Sequence, residues 1–219
     1  MATTARPTAT GSRRDRSQAV VHRTVEESRA IGKEARKRVP RSAHAGWSAP
    51  ADRADPVDLL ESQAVTRVLE LVPIRYGRML TSPFAFYRGA ALLMANDLAS
   101  TPRSDLIVQA CGDAHLSNFG VFGTPERRLV FDMNDFDETL QGPWEWDLKR
   151  LVTSFEIASR TNGYSDSQRR SIVRAGVTEY RERMALFSTM RNLDVWYSSI
   201  EIGALVDALK TQNKKGMVS

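Results

Sequence analysis

The feature that most constrains this chain is a pair of short β-type runs, Phe119–Phe122 and Leu129–Met133, joined through the turn sequence Gly123-Thr124-Pro125-Glu126. That pattern predicts an antiparallel hairpin, whose open ends come together with strands about 5 Å apart. The flanks are therefore brought side by side. One is Gly112-Asp113-Ala114-His115-Leu116-Ser117-Asn118, and the other is Asp132-Met133-Asn134-Asp135-Phe136-Asp137-Glu138. Asn118 immediately precedes the first run and Asp135 closely follows the second, so the topology makes them neighbours. Asp113, at the end of a run over Leu106–Cys111 read as a buried strand, enters the same corner.

Asp132, Asp135, Asp137 and Glu138 crowd four carboxylates into seven residues. Such groups diverge into solvent, take up protons or share a cation. Oxygen-only ligands favour Mg²⁺, which takes one or two carboxylates and completes its shell with water and phosphate oxygens. A solvated acidic turn is the competing account of the cluster alone. Cys111 has only His115 as a nearby base and reads as a small buried residue rather than a nucleophile.

Outside this corner the sequence is helical. Asp55-Pro56 is a capping pair, and Val57, Leu60, Ala64, Val68 and Leu71 recur at helical spacing until Pro73. A second helix is expected over Arg88–Ala99, with Leu92, Leu93, Met94 and Leu98 inward. A third carries Trp144, Leu148, Leu151, Val152 and Phe155 and stops near Asn162-Gly163. Ser165 caps a fourth, with Val173, Val177, Tyr180, Met184 and Phe187 as its inward stripe, and a last helical stretch runs from Trp196 to Leu209 before fraying at Lys214-Lys215-Gly216. Helices, a small β element and more helices make an α+β, mostly helical chain.

Hydrophobic residues form 42% of the 219, enough for a packed core. One Cys excludes a disulfide scaffold or a Cys-rich zinc module. No apolar run approaches the roughly 18–20 residues that span a bilayer, so no membrane partner and a cytoplasmic location are expected. Of the charges, 11 basic and four acidic residues fall in residues 1–43, a net +7, which leaves 20 basic and 22 acidic, a net −2, for the rest. Residues 1–43 are read as a basic, disordered extension, with a short helix around Thr24–Arg38 when docked, and 44–219 as the folded domain. Nucleic acid is expected to bind, if at all, through that extension.

Gly112-Asp113-x-His115-x-x-Asn118, a hairpin, and a strand ending in Asp135-Phe136-Asp137 resemble the catalytic core of aminoglycoside-phosphotransferase and choline-kinase-type members of the protein-kinase-like superfamily. The resemblance implies that Asp113 orients or deprotonates an acceptor hydroxyl, and that Asn118 and Asp135, with Asp137 beside them, hold Mg²⁺ on the phosphates of ATP or another nucleoside triphosphate. His115 then positions the loop or touches phosphate, or is simply a loop histidine bonded to backbone. Pro143-Trp144-Glu145-Trp146-Asp147-Leu148 resembles the segment where an Asp braces the catalytic loop, which gives Asp147 a structural role.

Longer stretches are similar to a bacterial family, the domain of unknown function 2252: Val72–Met79, Ser82–Gly89, the Cys-Gly-Asp-Ala-His stretch, Asn134–Thr139 and Trp144–Asp147, over about Val39 to Tyr197. This resemblance implies a kinase-like, C-lobe-type fragment, because members are about twice this long and the half with a Gly-rich loop and a nucleotide-contacting Lys is expected downstream. The chain then carries the catalytic-loop half without its nucleotide clamp and is a poor catalyst alone. Arg75, Arg78 and Arg88, beside Tyr76, Phe84, Phe86 and Tyr87, either bind phosphate in place of the missing lysine or brace loops through Asp132 or Glu138.

The expected function is Mg²⁺-dependent phosphoryl transfer from a nucleotide to a hydroxyl on a small molecule or protein. A non-catalytic, kinase-like binding module is the alternative. A metallophosphoesterase fits less well: Asp113-Ala114-His115 spells its opening motif, but His22 and His44 are the only other histidines.

Overall fold

The computed structural model describes residues 23–216. The arginines predicted to start the basic extension, Arg6 to Arg16, lie outside the described residues. The segment that follows forms helix α1, Val25–Arg38, closed by a capping box in which the Thr24 hydroxyl accepts from Glu27 N–H and the Glu27 carboxylate accepts from Thr24 N–H. At its far end Arg38 donates to the Ser104 carbonyl and pairs with Asp105.

Asp55 caps α2, Pro56–Ala64, by accepting from Val57 and Asp58 N–H. The helix ends there, well before Pro73. Pro73 instead sits in the first turn of a new helix, α3, Val72–Met79, where its missing N–H costs nothing. The expected second helix is likewise two: α4, Pro83–Gly89, capped by Ser82, and α5, Ala91–Ala99, broken at Ala90. Leu93 and Leu98 of α5 are buried as the pattern predicts, but Val57, Val68 and Leu71 of the first stripe are exposed.

Strand β1, Ile107–Ala110, pairs antiparallel with β4, Leu140–Pro143, Ile107 facing Pro143 and Ala110 facing Leu140. Helix α6 packs against β1, yet Ile107 and Val108 are exposed and only Ala110 of the strand is buried, contrary to the buried strand read from its apolar run. The hairpin forms where its spacing predicts: β2, Phe119–Gly123, against β3, Leu129–Met133, with Phe119 opposite Met133. A short β5, Ile200–Glu201, joins the other edge of β3.

Helix α6, Trp144–Thr161, follows β4 directly, and α7, Asp166–Phe187, is started by a capping box between Ser165 and Gln168. The two helices pack together; a Cβ on Gly176 would meet Phe155 Cε2 at 2.8 Å, so glycine there permits the close approach. Trp144 stacks on Tyr180, rings 5.7 Å apart and 3° from parallel. The α7 stripe is covered only in part: Val177 and Met184 are exposed, while Val173, Tyr180 and Phe187 are half-buried. α8, Asn192–Trp196, and α9, Ile202–Gly216, complete an α+β, mostly helical architecture. No helix among the described residues is long and apolar enough to cross a membrane.

Candidate functional site

The loop from Cys111 to Asn118 connects the two β ribbons and is held in place from underneath by α6. Three polar residues on one face of that helix, spaced three and four apart, each take a loop group. Asp147 accepts from Cys111 N–H at 2.7 Å and from Gly112 N–H at 3.0 Å. Arg150 donates from Nε to Asp113 Oδ1 at 2.6 Å. Ser154, with no exposed surface, accepts Leu116 N–H at 3.0 Å. The apolar residues that mark this helix in the sequence, Trp144, Leu148, Leu151, Val152 and Phe155, are half-buried, and the deepest positions are polar.

Asp113 is mostly covered and has two cationic or N–H neighbours. Arg150, 3% exposed, reaches Oδ1 with both Nε and Nη2, and His115 Nε2 lies 3.6 Å from Oδ2. Arg150 is itself fixed by α4: Nη2 donates to the Tyr87 carbonyl at 2.8 Å, the guanidinium lies 4.2 Å from the Tyr87 ring centroid, and the Tyr87 hydroxyl donates to the Arg150 carbonyl at 2.7 Å. Burial pushes the Tyr87 phenol up to about 12, so it is a standing donor.

His115 is buried, its ring edge-on to Phe84 at 6.5 Å. Burial lowers its pKa; Asp113 opposes this, and Arg150 and Arg88 reinforce it. Its Nδ1 accepts from Ser117 N–H at 3.2 Å, so the neutral ring carries its proton on Nε2, on the Asp113 side.

The far side of the corner is built by the hairpin. Asn118 is buried, its Nδ2 donating to the Asp113 carbonyl at 2.7 Å and its own carbonyl accepting from Asn134 N–H at 3.0 Å, one step beyond the last strand pair. The next residue, Asp135, accepts the Cys111 thiol on its backbone oxygen at 3.3 Å, while its exposed carboxylate accepts from Asp137 N–H at 3.3 Å. Backbone and side-chain hydrogen bonds thus join the segments carrying Asp113, Asn118 and Asp135. Cys111 is buried and its thiol is pushed up by that burial, away from nucleophile character.

The three arginines separate. Arg75 donates to the Gly89 carbonyl at 2.7 Å, closing the end of α4. Arg78 is exposed on α3. Arg88 is exposed one turn after Phe84, and its charge acts on His115. None of the three pairs with a carboxylate among the described residues. Arg150 escapes a sequence reading, because a mid-helix arginine normally points to solvent; the only hint is the polar spacing Asp147, Arg150, Ser154. Tyr87 is legible only as a neighbour of the three arginines, not as the residue that holds Arg150.

Among the described residues no three His, Cys, Asp or Glu side chains converge as a metal-binding group. A magnesium held against nucleotide phosphates needs fewer, since water and phosphate complete its shell. The Asn118 amide oxygen and the Asp135 carboxylate are both hard oxygen donors, and Asn118 Nδ2 is committed to Asp113, which leaves its oxygen as the available atom. The donor chemistry fits the ion.

Fold and site together describe an α+β chain, mostly helical, with a polar corner assembled from a strand-to-hairpin loop, a second loop across the hairpin and a bracing helix. The chain belongs to the family described as "Uncharacterized protein conserved in bacteria (DUF2252)", whose profile matches residues 67–219 and so takes in every element of that corner. No curated protein and no solved structure matches the chain.

Proposed function

We propose that this chain carries a kinase-like phosphotransferase site that moves a phosphoryl group from a Mg²⁺-bound nucleoside triphosphate to a hydroxyl acceptor. The observation that carries this reading is the hydrogen-bonded convergence of the Asp113, Asn118 and Asp135 segments at the open ends of one hairpin. Asn118 and Asp135 would hold Mg²⁺, which neutralises phosphate charge when bound. Asp113 accepts the proton of the acceptor hydroxyl, Asp147 fixes the loop backbone that presents it, and the neutral His115 lends an N–H donor beside the carboxylate. Arg88, whose charge acts on His115, is the arginine best placed to meet phosphate oxygens; Arg75 is already used to hold α4, and Arg78, exposed on α3, makes none of these contacts. Asp137 contributes its N–H to the orientation of Asp135 rather than a first-choice ligand.

Thermal unfolding with Mg²⁺–ATP, Mg²⁺ alone and ATP alone tests the reading. A nucleotide at 100 times its Kd stabilises by about 2.7 kcal/mol. The expected result is a rise in the wild type that requires both components and is lost in Asp135→Ala. No rise in the wild type overturns the proposal, and binding without phosphoryl transfer to any hydroxyl makes the chain a nucleotide-binding module instead.

A further inference from the structure

The arginine buried under Asp113 has no part in the motif that suggested the chemistry, and its geometry is unusual for an ion pair. An Arg–carboxylate pair commonly sets two guanidinium nitrogens against two oxygens. Here Nε, at 2.6 Å, and Nη2, at 2.5 Å, both converge on Oδ1 of Asp113. No hydrogen bond from the guanidinium reaches Oδ2, and His115 Nε2 lies 3.6 Å from it, beyond hydrogen-bond range. Arg150 has no room to move to a symmetric arrangement: Nη2 is also committed to the Tyr87 carbonyl, Nη1 lies 3.7 Å from Met94 Sδ, and the Tyr87 ring covers one face of the guanidinium. A 3% exposed guanidinium whose donors go to Asp113 of the loop, the Tyr87 carbonyl of α4 and Met94 Sδ of α5 is a fixed part of the frame.

We propose that Arg150 is a positioning residue that ties down Asp113 Oδ1 and so makes Oδ2 the oxygen that receives the acceptor's proton, with Tyr87 holding the guanidinium in register. Its consequence for catalysis rests on the phosphotransferase reading. In that step the acceptor oxygen bonds to the γ-phosphorus and its proton passes to Oδ2. The bond from the γ-phosphorus to the bridging oxygen breaks, and the nucleoside diphosphate leaves. A carboxylate free to rotate would offer either oxygen in many orientations, and a misplacement of about 1 Å can cost on the order of 100-fold in rate.

The clamp is tested first without activity. In the wild type, the Arg150 Nε–H should give a resolved, slowly exchanging NMR signal shifted downfield from those of exposed arginines, assigned by its loss in Arg150→Lys. Asp113→Ala should return it to the position of the exposed arginines. A signal that already overlaps theirs, or that Asp113→Ala leaves unmoved, overturns the clamp. The second arm follows transfer of the γ-phosphate of ATP with Mg²⁺ to a panel of hydroxyl acceptors. Arg150→Ala and Arg150→Lys should lower kcat about 100-fold with KM for ATP nearly unchanged. Millimolar guanidinium should restore part of the Arg150→Ala loss but none of the Asp113→Ala loss. An unchanged kcat in a folded Arg150→Lys overturns the positioning role. Should the wild type transfer no phosphate, the phosphotransferase reading falls, and the NMR arm alone decides the clamp.

Discussion

Gly112 has a φ of +86°, and a Cβ built on it would collide with the Glu138 carbonyl oxygen. Both facts require glycine: the conformation is strained for other residues, and the contact is with backbone that cannot swing away. Gly112→Ala should therefore destabilise the fold by about 2–3 kcal/mol in urea denaturation. A loss under about 0.5 kcal/mol, the range of a surface change, would mean that the two loops do not meet there. His115 gives a second expectation, with its sign fixed by burial. The folded state holds its pKa below the ordinary 6.5, so the unfolded chain takes up the proton first as pH falls. The stability due to the neutral ring is complete above the unfolded pKa and is lost as pH drops through the folded one. His115→Asn, which keeps an acceptor for Ser117 N–H, should reduce the loss of urea stability between pH 7.5 and pH 5.5. His44, also lowered by burial, accounts for a remaining slope. An equal slope in wild type and variant refutes the assignment.

Helix α6 reads the loop through Asp147, Arg150 and Ser154, and the Asp147 contacts can be separated by substitution. Asp147→Ala leaves two loop N–H groups without their acceptor and should cost about 2–4 kcal/mol. Asp147→Asn retains one acceptor oxygen and should cost about half as much. Native-state hydrogen exchange at Cys111 and Gly112 should speed up in the alanine variant, and protection unchanged at both amides would show that the helix does not hold the loop. Local chemistry decided which elements could be read in advance. The hairpin, the starts of α2 and α7 and the stop of α6 at Asn162-Gly163 are written in turn and capping residues, so their positions were legible. Pro73 was not, because the same missing N–H that can end a helix also suits the first turn of the next. The burial of β1 is not legible, because an apolar run signals burial only where packing covers it, and here cover reaches Ala110 but not Ile107 or Val108. The proximity of the Asn118 and Asp135 segments followed from the hairpin alone. The Arg150–Asp113 pair did not, since it depends on α4 and α6 meeting behind the loop, a tertiary packing that no local pattern specifies.

The buried apolar set of the described residues is small, mainly Met79, Tyr87, Leu93, Leu98 and Val130 with alanines, while helical stripes that should have joined it remain in solvent. Val65 is 77% exposed, Leu69 72% and Leu80 80% along the stretch that enters and leaves α3, and Trp196 is 82% exposed at the end of α8. Amphipathic spacing in the sequence reports which face a helix would bury, not whether anything arrives to cover it, which is why the stripes of α2 and α7 promised more core than the chain assembles. Large apolar side chains exposed along one stretch of chain favour dye binding and self-association. The native protein should accordingly enhance ANS fluorescence, and its association should strengthen with sulfate, which promotes burial of apolar surface. Because Leu69 and Leu80 make so little contact within the fold, Leu69→Lys/Leu80→Lys should weaken both effects at almost no cost to folding. Two such surface changes stay within roughly 0.5 kcal/mol each, so Tm should move by no more than about 4 °C. A much larger fall would mean that these leucines are packed in solution, and that the stretch from Val65 to Leu80 is covered by structure the fold described above does not include.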